Sequence, residues 1–293
     1  MTIETLFSAI ATLAGLLFVV GSMLATGLSL TVAQIAQPLK NVRLVVLALL
    51  ANFVLVPLLA YGITLLLPLD EALAIGLIVL STVAGAPFLV KEVQAAKGDL
   101  SLGVGLMFLL MVVTIFYVPL VLPLLLPGVA VNAWDIAKSL IVTMLLPIIL
   151  GLLYRSHAAD SAQEWAATLN KMSGVALLFM LVTGLGLNIS NILSLIGSWG
   201  FLALFLFVAG SLLIGFVLGG RETAVRNVLA LGTAQRNVAA AILVTTINFS
   251  GTMTLPFILV GSIVLPLILI PTAKRMGARS EGVASDASLS GGS

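Results

Sequence analysis

Three ionisable residues, Lys91, Glu92 and Arg236, lie inside long apolar segments. A charge at membrane depth is costly, so such residues usually face a cavity or a partner, where cations bind anions and carboxyl groups relay protons. Neighbouring residues on a helix do not face each other, so Glu92 is a better ion-pair partner for Arg236 than for Lys91. A buried pair that only holds helices together is the structural alternative to a functional site, and both roles can coexist.

The segment that contains Lys91 and Glu92 also contains helix-breaking residues. Gly85, Ala86 and Pro87 come just before the two charges. Pro87 has no backbone N–H and clashes with the preceding turn, while Gly85 tolerates conformations that other residues avoid. These residues predict an interruption about halfway along the segment.

The segment around Arg236 has a similar composition without a proline. Gly232 is followed closely by three consecutive polar residues, Gln235, Arg236 and Asn237. An unwound stretch is predicted here too. Prolines elsewhere, such as Pro57, stand apart from charges and are interpreted as simple kinks.

The composition indicates what kind of protein contains these segments. The 293 residues include 13 Lys+Arg, 11 Asp+Glu and one His, and the mean hydropathy is +1.26. Only 8% of the residues are charged, whereas soluble domains spend about a quarter on charge. The chain is therefore expected to be a polytopic membrane protein and not a nucleic-acid binder. The absence of Cys, of an HExxH motif and of a dense acidic cluster gives no basis for a metal site or a cofactor.

A helix needs about 20 mostly apolar residues to cross the hydrocarbon layer. Cutting the chain at charges, prolines and glycines predicts an all-α transmembrane domain over residues 1–275, followed by a Gly/Ser-rich, disordered tail over 276–293. The nine predicted spans are 7–32, 42–67, 72–96, 100–126, 134–154, 172–196, 199–219, 223–248 and 252–273.

The basic residues indicate an orientation. With the N-terminus outside, ten of the thirteen Lys and Arg residues fall on the cytoplasmic side, as the positive-inside rule expects. Glu4, Asp70, Glu71 and Asp135 fall on the opposite side, together with Lys138. We expect a multi-pass protein of the plasma or inner membrane with a cytoplasmic C-terminus. The sequence gives no basis for an oligomeric state.

The two interrupted spans are the third and the eighth, so they cross the membrane in opposite directions. Antiparallel broken helices are typical of secondary transporters with inverted repeats, which bind substrate near the midplane. The N-terminal ends of half-helices carry free N–H groups and partial positive charge, which suit a carboxylate.

Four segments resemble the bile acid:sodium symporter family, and the resemblance extends over almost the full length. They are residues 23–30 (MLATGLSL), 51–57 (ANFVLVP), 85–99 (GAPFLVKEVQAAKGD) and 230–241 (ALGTAQRNVAAA). The resemblance implies nine or ten helices, divided into a panel domain and a core domain in which two broken helices cross. Nine spans with an external N-terminus correspond to the form that lacks the first helix.

Residues that hold sodium in the family are largely replaced here. The resemblance puts apolar residues where the family has side-chain oxygens, which a hard cation requires. The affected positions are Leu89, Val90, Gly103, Met107 and Gly232. Arg236 stands where the motif has Gln, while Asn237 and Asn52 keep an amide.

We therefore hypothesise that Arg236, with Lys91, substitutes electrostatically for bound sodium. The protein would be a sodium-independent carrier of a small organic anion, such as a keto acid or pantoate. The driving force would be the gradient of the anion itself or protons carried through Glu92. The predicted binding residues are Asn52, Gly85, Ala86, Pro87, Lys91, Glu92, Gln235, Arg236 and Asn237.

Other functions are weaker alternatives. A sodium-coupled organic-anion symporter requires the ligands that this sequence lacks, and an arsenite carrier would favour a Cys ligand. A passive channel needs a ring of like polar residues, whereas only a local cluster is present. An intramembrane enzyme needs a nucleophile and a base, but His157, the only His, lies in a loop.

Overall fold

The computed structural model describes residues 3–129, 131–187, 189–195, 197–249 and 251–290. The elements in this part of the chain are helices, without a β-strand. In chain order they are α1 (Ile3–Ser29), α2 (Val32–Ala36), α3 (Val42–Leu50), α4 (Val56–Leu66), α5 (Glu71–Thr82), α6 (Leu89–Ala95), α7 (Leu100–Leu125), α8 (Ala133–Leu140), α9 (Leu146–His157), α10 (Ala159–Leu187), α11 (Ile189–Leu195), α12 (Gly200–Leu218), α13 (Thr223–Ala234), α14 (Val238–Asn248) and α15 (Thr254–Ser290). The all-α polytopic class predicted from composition is confirmed at this level.

Eight helical stretches of the described residues are long and apolar enough to cross a membrane. The predicted third span is different, because a non-helical segment divides it into α5 and α6, and Glu71–Thr82 counts only as a shorter apolar helix. The total of nine spans stays a prediction. The division itself occurs where Gly85 and Pro87 predicted an interruption.

Two spans contain a π-turn just before a proline. Residues Ala51–Leu55 and Ile141–Leu145 are π-helical, and they precede Pro57 and Pro147. Pro57 cannot donate to the carbonyl oxygen of Phe53, four residues earlier. The hydroxyl of Tyr117 on α7 donates to that oxygen instead, at 2.6 Å. The kinks expected at these prolines are thus local π-turns.

Burial is uneven among the spans. The share of buried residues is 89% for Thr223–Asn248, which comprises α13 and α14, and 17% for Ala159–Gly184 in α10. The α13–α14 pair therefore lies at the centre of the protein, while α10 lies at its edge and packs mainly on α1. Most buried apolar side chains belong to one continuous cluster.

Helix α15 extends further than the sequence predicted. It continues to Ser290, whereas a disordered tail was expected from residue 276. The segment 278–289 contains no proline and three Ala residues, which favour a helix, although Gly282 opposes it by about 1 kcal/mol. The division of the chain at residue 275 stays a prediction.

Candidate functional site

The first break joins α5 to α6 through residues 83–88, and it is fixed against α7. Gly85 adopts a positive φ of 78°, and a Cβ there would lie 2.6 Å from Cα of Met111. The hydroxyl of Thr114 accepts from the N–H of Ala84 at 2.9 Å and donates to its carbonyl oxygen at 3.1 Å. A single side chain thus satisfies both backbone polar groups of Ala84, which have no helical partner.

The second break, Gln235–Asn237, forms without a proline because Asn237 caps the next helix. Its side-chain oxygen accepts from the N–H of Ala240 at 3.2 Å, an N-cap for α14. The backbone of Gln235 is extended, with φ −71° and ψ 125°. The interruption predicted around Arg236 is therefore present in the structure.

The two breaks are bonded directly to each other through Asn237. Its backbone N–H donates to the carbonyl oxygen of Val83 at 3.0 Å, and its side-chain amide donates to that of Gly85 at 3.2 Å. Helix α6, after the first break, packs against α13, before the second, and α5 packs against α14. The chain therefore passes through the two breaks in opposite directions.

Arg236 is completely buried between these elements, with 0% of its surface exposed. Its guanidinium donates to the side-chain oxygen of Asn52 at 2.5 Å, to the carbonyl oxygen of Ser81 at 3.4 Å, and to that of Thr233. Ser81 and Thr233 are the last but one residues of α5 and α13. The guanidinium thus lies at the C-terminal ends of two helices, where the backbone dipoles favour a positive charge.

Asn52 belongs to the π-turn at Ala51–Leu55 and is also fully buried. Its side-chain N–H donates to the carbonyl oxygen of Ala48 at 3.0 Å, which leaves its oxygen directed at Arg236. The amide orientation therefore follows from its hydrogen bonds. Three segments distant in sequence meet at this guanidinium.

The ion pair between Glu92 and Arg236 that the sequence favoured does not form. Glu92 is buried, with 2% of its surface exposed, and neither of its carboxyl oxygens has a hydrogen-bond partner among the described residues. The guanidinium of Arg236 bonds neutral oxygens instead. Sequence spacing identified both residues as buried but could not show which groups they would meet.

Lys91 has a different environment from its neighbour. Its side chain is exposed, and its ammonium lies 5.7 Å from the centre of the Phe88 ring. Since successive residues on a helix point about 100° apart, Lys91 and Glu92 face different surroundings.

A cavity of about 320 Å³ lies beside both breaks. It brings together most of the predicted binding residues, namely Ala86, Pro87, Lys91, Gln235, Arg236 and Asn237. Its lining does not include Asn52, Gly85 or Glu92. Asn52 accepts from Arg236, and the carbonyl oxygen of Gly85 accepts from Asn237, so both contact the second break outside the cavity. Glu92 is buried in the protein interior. Two wider surface cavities, of about 720 and 600 Å³, contain none of the predicted residues in their linings.

Four polar lining residues were not predicted from the sequence: Ser22, Asn170, Ser173 and Ser262. They come from α1, α10 and α15. Single Ser residues in apolar spans usually bond the backbone of their own helix, so nothing in the sequence marked them. Ser173 and Gln235 each have a buried oxygen without a described hydrogen-bond partner. Each oxygen could therefore form a hydrogen bond with a bound molecule.

One known family matches more than half of the sequence. The sequence model of the Sodium Bile acid symporter family matches residues 15–195, which is more than half of the chain and includes the first break. No curated protein matches the chain significantly. The resemblance seen in the sequence motifs is thereby confirmed, and the chain belongs to the sodium bile acid symporter family.

Proposed function

We propose that this protein is a secondary transporter that carries a small organic anion by alternating access without binding sodium. A membrane transporter is the general expectation for the family. The absence of sodium coupling and the anionic substrate are specific to this chain and rest on its own residues.

The observation that carries the proposal is the environment of Arg236. Its guanidinium is surrounded by the side-chain oxygen of Asn52 and the backbone oxygens of Ser81 and Thr233. Oxygen atoms of this kind are what a hard cation such as sodium prefers. On this proposal, a covalently attached cation takes the place of a bound sodium ion between the breaks.

The cavity supports an anionic substrate. Lys91 lies in its lining and is exposed, so it is better suited to attract an anion than to replace a buried ion. Val238 and Ala239, the first residues of α14, also line the cavity. The positive end of that helix dipole adds to the attraction.

The proposal includes the architecture that the family suggests. The third and eighth of nine spans would be the broken helices of two inverted repeats, within a core domain that moves against a panel domain. The N-terminus would lie outside and the C-terminus in the cytoplasm of the plasma or inner membrane, as the distribution of Lys and Arg predicts.

Uptake by proteoliposomes tests the proposal. Labelled pyruvate, 2-oxoisovalerate and pantoate serve as probes, while sodium, potassium and pH are varied independently at a fixed membrane potential. We expect saturable uptake and counter-transport that do not change when potassium or choline replaces sodium. Steep dependence on sodium would support a sodium-coupled symporter instead, and flux that neither saturates nor shows counter-transport would indicate a channel.

A further inference from the structure

Glu92 is a buried carboxyl group without a polar partner. It lies on α6, which packs against α7, α13 and α15, and its two oxygens have no hydrogen-bond partner in the described part of the chain. An ionised carboxylate buried in this way costs several kcal/mol, because nothing replaces its lost hydration. This conformation therefore favours the neutral acid, which carries a proton, over the carboxylate.

The charged and titratable groups on the neighbouring helices do not bond it. On α13, Arg226 lies over the ring of Phe216, 4.5 Å from its centre. On α7, the hydroxyl of Tyr117 donates to Phe53. The remaining charged residues, on α6 and α15, are Lys91, Lys274, Arg275, Arg279, Glu281 and Asp286. The described ones among them, Lys91 and the three basic residues of α15, are exposed.

Arg236 is the second charged group that bears on this interior. Arginine keeps its proton in proteins, and this guanidinium bonds only neutral oxygens. Besides the solvent-exposed charge of Lys91, the interior around the breaks therefore carries one buried positive charge when Glu92 is protonated. A monovalent anion bound in the adjoining cavity would neutralise that charge.

Two states of this interior are electrically neutral. In one, the cavity is empty and Glu92 is ionised, so its negative charge balances the positive charge of Arg236. In the other, an anion is bound and Glu92 is protonated. In the described conformation the exposed Lys91 lines the cavity, so water reaches it and screens a net charge. Once the cavity closes, any other combination leaves a net unit charge in a low-dielectric region, where its energy is high. Only the two neutral states are suited to the conformational change that moves the site across the membrane.

We propose that Glu92 is the proton-binding site of an electroneutral symport of one proton with one monovalent organic anion. This inference rests on the proposed transport function and assigns its driving force. A gradient of one pH unit would then sustain about tenfold accumulation of the anion.

The Glu92→Gln variant gives a specific test, because Gln resembles the neutral acid in shape and cannot ionise. The empty carrier would keep one uncompensated charge and could not return, whereas the loaded carrier could still exchange. We expect counter-transport of labelled 2-oxoisovalerate to stay within about threefold of wild type, while net uptake and acidification of liposomes loaded with a pH dye fall about tenfold or more. Protein-free liposomes correct for passive entry of the acid.

Glu222→Gln is the matched control, because Glu222 is an exposed carboxyl outside the site. It should behave as wild type in both assays. Equal losses of exchange and net uptake in Glu92→Gln would overturn the inference and indicate a structural role. Unchanged proton influx in that variant, or net wild-type flux that follows membrane potential at constant pH, would overturn it as well.

Infrared spectroscopy tests the protonation of Glu92 without any substrate. Wild type at neutral pH should show the carbonyl stretch of a protonated carboxylic acid, sensitive to D₂O and lost in Glu92→Gln. If that band is missing or survives the substitution, the proton site is wrong even where anion transport is found. If wild type carries no anion but the band behaves as expected, the transport proposal fails separately.

Discussion

At the scale of single residues, the main feature is that Arg236 donates to neutral oxygens and not to a carboxylate. Breaking a buried pair of opposite charges leaves one charge uncompensated, but among the described residues the guanidinium has no carboxylate partner. The guanidinium instead donates hydrogen bonds to the side chain of Asn52 and to carbonyl oxygens near the ends of α5 and α13. This arrangement leaves its charge available to attract an anion.

Substitution of Arg236 should therefore affect transport more than membrane insertion. Arg236→Gln removes the positive charge and leaves the oxygen of Asn52 without its donor, so we expect at least about a tenfold loss of uptake and a stability loss of about 1–3 kcal/mol. Arg236→Lys should recover only part of the activity, because an ammonium cannot match the planar donor geometry. Proteoliposome uptake and thermal unfolding in detergent measure both effects.

Arg43→Gln is the control, because Arg43 is exposed and outside the cavity beside the breaks. Lys91→Gln should reduce uptake through a raised KM, since its exposed charge attracts the substrate without holding the breaks together. Normal transport by both Arg236→Gln and Lys91→Gln would show that these two residues have only a structural role.

The hydroxyl of Tyr117 should contribute to stability because Pro57 leaves the carbonyl of Phe53 without its helical donor. Tyr117→Phe removes the 2.6 Å hydrogen bond and should destabilise the protein by about 1–2 kcal/mol. Tyr61→Phe, at an exposed position, should change the melting temperature little. Equal melting temperatures for the two variants would contradict this account.

Residue types indicated most of the polar residues that line the cavity beside the breaks, but not how these residues are paired. Charges in apolar segments identified Lys91, Glu92 and Arg236 as unusual, and the structure gathers most of the predicted set around one cavity. The pairing of Arg236 with Asn52 joins residues far apart in the chain, and no local spacing encodes it. The unpartnered state of Glu92 likewise depends on the packing of α6 against three other helices.

At the scale of elements, the first break is held in place by close packing as well as by hydrogen bonds. Gly85 has a conformation disfavoured for residues with a Cβ, and the backbone of α7 occupies the space that a side chain would need. The break therefore depends on glycine for two separate reasons.

Gly85→Ala should be strongly destabilising. The left-handed backbone costs roughly 1–2 kcal/mol, and displacement of α7 adds about 1–3 kcal/mol. Gly128→Ala isolates the first contribution, because Gly128 has φ +85° with open space around it. Gly62→Ala has neither restriction and lies inside α4, so it should be neutral or slightly stabilising. Thermal unfolding of the three variants should rank in that order, and equal stability of Gly85→Ala and Gly128→Ala would contradict the packing argument.

The sequence predicts the first break more clearly than the second. A proline next to a glycine excludes a regular helix locally, so the first break could be predicted from backbone chemistry alone. The second break depends on Asn237, which caps α14 and bonds the backbone of the first break. Part of that stabilisation is tertiary, so polar composition could only suggest it.

At the scale of the whole molecule, the orientation in the membrane is open to a direct experiment because the chain contains no Cys. Single cysteines at Asp70 and Glu222, both exposed, should react differently with a membrane-impermeant maleimide. We expect labelling at 70 in intact cells and at 222 only after permeabilisation. The opposite pattern would reverse the topology predicted from the basic residues.

The fold class followed from composition, while the arrangement of the helices did not. An apolar chain of this length has few solutions besides a helical bundle, because backbone groups in lipid must bond internally. Which helix lies at the centre depends on long-range packing. The placement of α13 and α14 inside and of α10 at the edge is a property of the assembled bundle.

The guanidinium enclosed by α5, α13 and Asn52 has a consequence for the environments in which the protein can work. A cation that is part of the polypeptide never dissociates, so we expect the contacts between the two breaks to persist when no sodium is present. Such a carrier would operate equally in fresh water and in brine, and the collapse of a sodium gradient could not run it backwards.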